Sequence, residues 1–281
     1  MSAGFSWFGL LLLAGPHAWL SQSPNAPADE RKWIESVVPR MADAAAQLAH
    51  ARRLKRQMAD KSGDELVSWR KLTVEAYQAV RVFHAQARAA CGEAAFRAAE
   101  ILRAAGDEAG SLAEFQHAIE LSPGDAFRVR ARLELGHIHR RAQRWREALA
   151  AYLDAAGDPA ARGARRDDAW LWAGTAWQGL GSVEEACAAW RRVAEQGSDA
   201  LARVRAYDEL SLARLAQGDV EGATGELDRC LRALSPLALE ETEEGERVHN
   251  ALVRMRCIEE LARAISQRSA TPAAQGSSGK S

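Results

Sequence analysis

Between Gly92 and Pro236 one pattern of small and large apolar residues occurs four times, and this recurrence limits what the chain can fold into more than any other feature. In the first copy Phe96, Ala99 and Leu102 fall at helical spacing, Gly106-Asp107 breaks the run, and Leu112, Phe115, Ala118 and Ile119 resume it as far as Ser122-Pro123-Gly124. That is helix, turn, helix, stop. The second copy has Leu135-Gly136, Trp145, Ala148 and Tyr152, and the third has Trp170, Gly174, Trp177, Gly181, Ala186 and Trp190. The fourth has Tyr207, Leu210, Gly218-Asp219, Ala223 and Leu227. The large residue of each second helix recurs at Phe115, Tyr152, Trp190 and Leu227, giving steps of 37, 38 and 37 residues.

The spacing has a direct physical meaning. Gly136, Gly174, Ala148 and Ala186 let two helix backbones approach closely, and the facing aromatic fills the space they leave. Each hairpin alone exposes an apolar side, which stacking against the next copy buries, so the copies stabilise one another as a linear array. Runs of strand-forming residues are absent. The expected fold is all-α, a helical-repeat superhelix.

The pattern resembles the tetratricopeptide repeat (TPR), whose Trp, Leu-Gly, Tyr, Ala, aromatic and Pro slots recur with a period of roughly 34 residues. Trp170, Gly174, Trp177, Ala186 and Trp190 take the Trp, Gly, Tyr, Ala and aromatic slots of the third copy, and Leu135, Gly136, Ala148, Tyr152 and Ala155 match in the second. The first copy keeps Phe115, Ala118 and Pro123 but carries Ser111 in the Ala slot, and the fourth keeps Tyr207, Leu210, Ala223 and Pro236. The resemblance implies a groove lined by the first helix of each pair and used to bind protein segments. Its groove positions select Phe96 in the first copy and Arg130, Leu133, His137, Arg140 and Arg141 in the second. They select Asp168, Leu171 and Gln178 in the third, and Arg205 and Asp208 in the fourth. The carboxylate clamp of the co-chaperone branch is not matched, because Leu133 and His137, or Leu171 and Thr175, stand in its place. An arginine-rich patch between apolar residues remains, suited to an acidic or amphipathic protein segment. The same arginines would equally serve to solubilise an alanine-rich array.

The flanks divide the chain further. Residues 1–27 hold an apolar run from Phe5 to Gly15 followed by a Ser/Pro/Asn/Ala-rich exit, the shape of a secretory signal peptide or N-terminal anchor. Export to the cell envelope or periplasm is therefore expected. Residues 28–90 read as a helical hairpin or degenerate repeat, with one stripe through Val37, Met41, Leu48 and Met58 and another through Leu66, Trp69, Tyr77 and Phe83. Pro39 should start or kink the first helix, and Ser62 with Glu65 has capping-box spacing. The repeats occupy 91–237, an acidic loop and one capping helix 238–268, and a small, polar, disordered tail 269–281.

Chemistry-bearing motifs are sparse. A formal charge of -1 excludes a general polyanion binder, so nucleic acid is not expected as a partner. Cys91, Cys187, Cys230 and Cys257 form no C-x-x-C pair, and in an exported chain Cys230 could bridge to Cys257. Glu114/His117, Glu134/His137 and Glu246/His249 have the E-x-x-H spacing of helical metal sites, but the repeat register sets the first two pairs on opposite sides of the array, with Glu114 and His117 outward. There is no phosphate loop, nucleophile elbow or zinc-protease helix. The sequence thus reads as a non-catalytic protein-binding scaffold without cofactor or metal. The other readings are an envelope-assembly module engaging partners through the 28–90 hairpin, and a metal-dependent helical protein using the E-x-x-H pairs.

Overall fold

The computed structural model describes residues 27–124 and 126–270, so the export segment and all but the first residues of the tail lie outside the described residues. Thirteen helices and no strand make up what is described. The chain divides into two compact units, Met1–Ala131 and Arg132–Ser281.

The first unit holds α1 (Pro27–Val37), α2 (Ala44–Met58), α3 (Gly63–Phe83), α4 (Arg88–Ala104), α5 (Glu108–Leu121) and the start of α6 (Ala126–Arg141). Pro39 does not kink a helix here. Pro39 lies between α1 and α2 in a loop that buried Gln47 pins, accepting from the Met41 backbone N–H at 2.8 Å and donating to the Pro39 carbonyl at 3.2 Å. Ser62 does stand at the N-cap of α3, but its side chain makes no capping bond. Ile34, Leu48, Ala51, Tyr77, Val80, Ala94, Ala98 and Ile101 form one continuous core through α1 to α4. The 28–90 stretch is therefore three helices sharing the core of the first repeat.

The second unit continues with α7 (Trp145–Gly157), α8 (Ala164–Gly179), α9 (Val183–Gln196), α10 (Ala200–Ala216), α11 (Val220–Ala238), α12 (Glu243–Val253) and α13 (Arg256–Ala270). Helices adjacent in sequence pack on one another from α7 to α12, and α13 returns onto α10 and α11. Close approach is enforced where the pattern places it. A Cβ on Gly136 would lie 2.7 Å from Tyr152 Cδ1, and one on Gly174 would lie 2.6 Å from Trp190 Cδ1. Ser in a small-residue slot is also explained, since the buried Ser211 hydroxyl donates across to the Ala223 carbonyl at 2.9 Å.

The turn within each pair has its own signature. Gly106, Gln143, Gly181 and Gly218 all have positive φ, again 37, 38 and 37 residues apart. Gln143 holds the left-handed conformation at +56° without the freedom of glycine, a cost of roughly 1–2 kcal/mol that three of the four turns avoid. Asp107 and Asp219 then cap the helices α5 and α11, accepting from the N–H of Gly110 at 2.9 Å and Gly222 at 2.8 Å.

Pro236, in the Pro slot of the last repeat, sits inside the final turns of α11, which runs to Ala238. One expectation for the C-terminal part is corrected. The single capping helix is two, α12 and α13, broken at Arg254-Met255.

Candidate functional site

The first helices of the pairs carry the residues that the repeat register assigns to the groove. In the first unit Phe96 is a core residue with no exposure, edge-on to Phe115 at 5.5 Å and tilted against Phe127 at 5.5 Å. Arg130 covers that ring at 4.3 Å and pairs with Glu100 at 3.5 Å, and Arg97 pairs with the same carboxylate at 2.9 Å. These cations are satisfied locally, and Phe96 offers no surface to a ligand.

In the second unit the cluster is built differently. His137 Nδ1 and the Tyr152 hydroxyl share a hydrogen bond at 2.8 Å, and the His137 ring stands edge-on to Trp172 at 5.2 Å and 86°. Arg140, one turn further along α6, lies with its guanidinium 4.6 Å over the Trp172 ring. Burial pushes the Tyr152 phenol up to about 12 against the pull of nearby Arg140. The phenol therefore stays neutral and holds His137 in place at physiological pH. Arg141 is exposed beside this cluster, whereas Arg140 is half-buried on its indole and not fully solvent-facing as the register implied.

On α8 and α10 the assignments separate. Asp168 is half-buried, and its carboxyl is raised by burial and by Asp199, with Arg205 opposing. Gln178 and Arg205 are exposed. Leu133 and Leu171 are buried at 8% and 4% exposure, so they support the helices and do not line a groove. Asp208 is also withdrawn: one carboxylate oxygen accepts from the Cys257 N–H at 2.8 Å and the other from Arg256 Nε at 3.2 Å, tying the start of α13 to α10. Arg140, Arg141, His137, Asp168, Arg205 and Gln178 remain as accessible candidates, joined by Trp172, which the repeat register does not select. The W-x-W spacing of Trp170 and Trp172 was the available signal, because residues two apart on a helix do not share a face, so Trp172 lies off the face that the Trp slot selects.

Of the E-x-x-H residues, Glu114 and His137 are committed to other partners. Glu114 is not outward but buried at 4% exposure, accepting from Gln78 Nε2 at 2.7 Å and Arg81 Nη1 at 3.1 Å. His117 lies near Glu120, and Glu246 and His249 are both exposed. Cys230 and Cys257 are buried free thiols, each pushed up to about 12 by burial, and no bridge joins them. Among the described residues no helix is long and apolar enough to cross a membrane.

Fold and site together define an all-α protein of the TPR-like helical-repeat class. No family model matches the chain, and no curated protein matches it. Among solved structures it is similar to BtubC from P. vanneervenii, at 14% identity and TM-score 0.48 over 86% of this chain and 98% of that one. It is similar also to PilW, described as a type IV pilus biogenesis factor, at 16% identity and TM-score 0.46 over 82% and 95% of the two chains. MamA gives 16% identity and TM-score 0.46 over 59% and 88%. At these levels no partner or pathway carries over.

Proposed function

We propose that this protein is a non-catalytic scaffold of the bacterial cell envelope that binds an acidic, partly apolar segment of another protein through the α6–α8 surface. The observation that carries the reading is Arg140 stacked on Trp172 beside exposed Arg141. An arginine held flat on an indole keeps its N–H edge free and loses little further freedom on binding, so it is prepared for a carboxylate. The ring beneath supplies apolar contact for the residue next to that carboxylate. Arg140 makes no ion pair among the described residues, and its Nε is buried without a partner. The envelope location rests on the apolar run at 5–15.

Selection of a random-peptide phage library on the full chain tests the binding. The recovered peptides should combine Asp or Glu with large apolar residues, and Arg140→Glu with Arg141→Glu should weaken them by about 100-fold or more, since reversing charges that contact acid costs several kcal/mol. Equal binding by the double variant at low salt would end the reading. Fusion of residues 1–27 to a phosphatase active only after export tests location, and an inactive fusion would return the protein to the cytoplasm.

A further inference from the structure

Helix α8 carries a second tryptophan surface on its opposite side. Trp170 and Trp177 are seven residues apart, so they share a face, and Trp172 lies two residues from Trp170 on the other. Together with Glu185, Ala188, Ala189 and Arg192 of α9 they line an open cleft of about 240 Å³. That volume falls below the roughly 300–1,000 Å³ of small-molecule sites and suits the insertion of a single large side chain. Ala188 and Ala189 keep it open, because any longer side chain on that stretch of α9 would fill it.

The cleft also repeats the arrangement of the α6–α8 surface. The Arg192 guanidinium lies 4.4 Å over Trp170, much as Arg140 lies over Trp172. Arg192 is exposed, and neither it nor neighbouring Arg191 makes an ion pair among the described residues. Glu185 and Glu195 lie nearby without pairing with either guanidinium. The Trp170 indole N–H is buried and has no acceptor among the described residues.

We infer that this α8–α9 cleft is a separate docking site for an acidic amphipathic helix of a partner protein. One apolar side chain enters between Trp170 and Trp177, and a carboxylate about one turn away pairs with Arg192. The inference does not rest on the α6–α8 surface. It gives α8 two binding faces, so that one molecule bridges two acidic segments at once.

A chain carrying Arg140→Glu and Arg141→Glu, with the first surface disabled, is used to pan the same phage library. Peptides with Glu or Asp three or four residues from Leu, Phe or Trp should still be recovered. Their affinity, measured by fluorescence anisotropy of the synthetic peptides, should fall at least 10-fold when Arg192→Glu is added. It should also fall at least 10-fold with Ala188→Gln, which fills the cleft without a change of charge at an exposed position. Circular dichroism checks that both chains stay helical, and Ala188→Gln keeps the test decisive if Arg192→Glu disturbs folding. Failure to recover acidic binders from the disabled chain overturns the inference while leaving the α6–α8 reading intact. Binders unmoved by both changes overturn it as well, and so does recovery of only basic peptides, which would assign recognition to Glu185.

Discussion

Gly174→Ala is a sharp perturbation of the repeat geometry, because it adds one carbon at a close helix approach. The new Cβ would sit 2.6 Å from Trp190 Cδ1 and 2.8 Å from Cε2, about 1 Å inside ordinary carbon contact. Trp190 cannot yield easily, for it is fully buried and its Nε1–H donates to the Leu171 carbonyl at 3.1 Å. Forcing the ring aside costs about 1–3 kcal/mol for overpacking. If the hydrogen bond breaks, the stranded donor adds about 1–3 kcal/mol. Alanine returns about 1 kcal/mol through its better helix propensity. The net loss is about 0–2 kcal/mol with the hydrogen bond kept and about 1–5 kcal/mol with it lost, and each kcal/mol lowers Tm by roughly 2–4 °C for a unit of this size. Gly157→Ala is the matched control, since nothing lies within 4 Å of its Cβ position and its φ is not positive. Thermal melts followed by circular dichroism should show the control equal to or above the parent and Gly174→Ala below it. A Gly174→Ala protein as stable as the parent would refute the close-packing account of the repeat.

Burial raises all three tyrosines above their usual value, Tyr77 and Tyr152 to about 12 and Tyr207 upward, so the fold favours the neutral phenol. A raised folded value means that this stability is complete below about pH 10 and is lost as the pH climbs towards 12. Phenolate absorbance should accordingly appear together with loss of helix, and titration of Tyr77 and Tyr152 near pH 10 in folded protein would contradict their burial. Asp208→Ala removes the acceptor of the Cys257 N–H and a partner of Arg256, and should cost about 1–3 kcal/mol. Hydrogen exchange should rise first in α13, and unchanged protection there would show that Asp208 does not hold it.

What the sequence could show was whatever is encoded over one or two turns. Gly136 facing Tyr152 and Gly174 facing Trp190 were readable because a small residue and a large one recur together at fixed separation. Gln143 was not, since nothing in its side chain announces positive φ and only the spacing of Gly106, Gly181 and Gly218 points to it. Glu114 was misplaced because helical periodicity is local, whereas the partners that bury it, Gln78 and Arg81, lie more than thirty residues upstream on α3. Asp208 falls at a groove position in the register for the same reason, its capping bond reaching 49 residues ahead to Cys257. Pro236 is a separate case. Proline is tolerated in the first turn of a helix and disfavoured beyond it, yet Leu237 and Ala238 keep the helical backbone after Pro236, so the residue itself does not mark where α11 ends.

The arginines make the final discrimination. Stacking a guanidinium on an aromatic ring occurs in both units, so the ring alone does not mark a binding surface. In the first unit Arg97 and Arg130 lie over Phe96 and Phe127, and both also reach Glu100, so ring and carboxylate together satisfy them. A partner's acid there would have to displace an existing pair and would gain little. In the second unit Arg140 and Arg192 have the ring and no carboxylate among the described residues. Each has surrendered side-chain freedom to the stack without gaining an ion pair, so the cost of ordering has already been met when an acidic segment arrives. On the proposed reading, the two faces of α8 are thus the places where an added carboxylate gains most, and substitution of the two arginines there would separate binding from mere solubility.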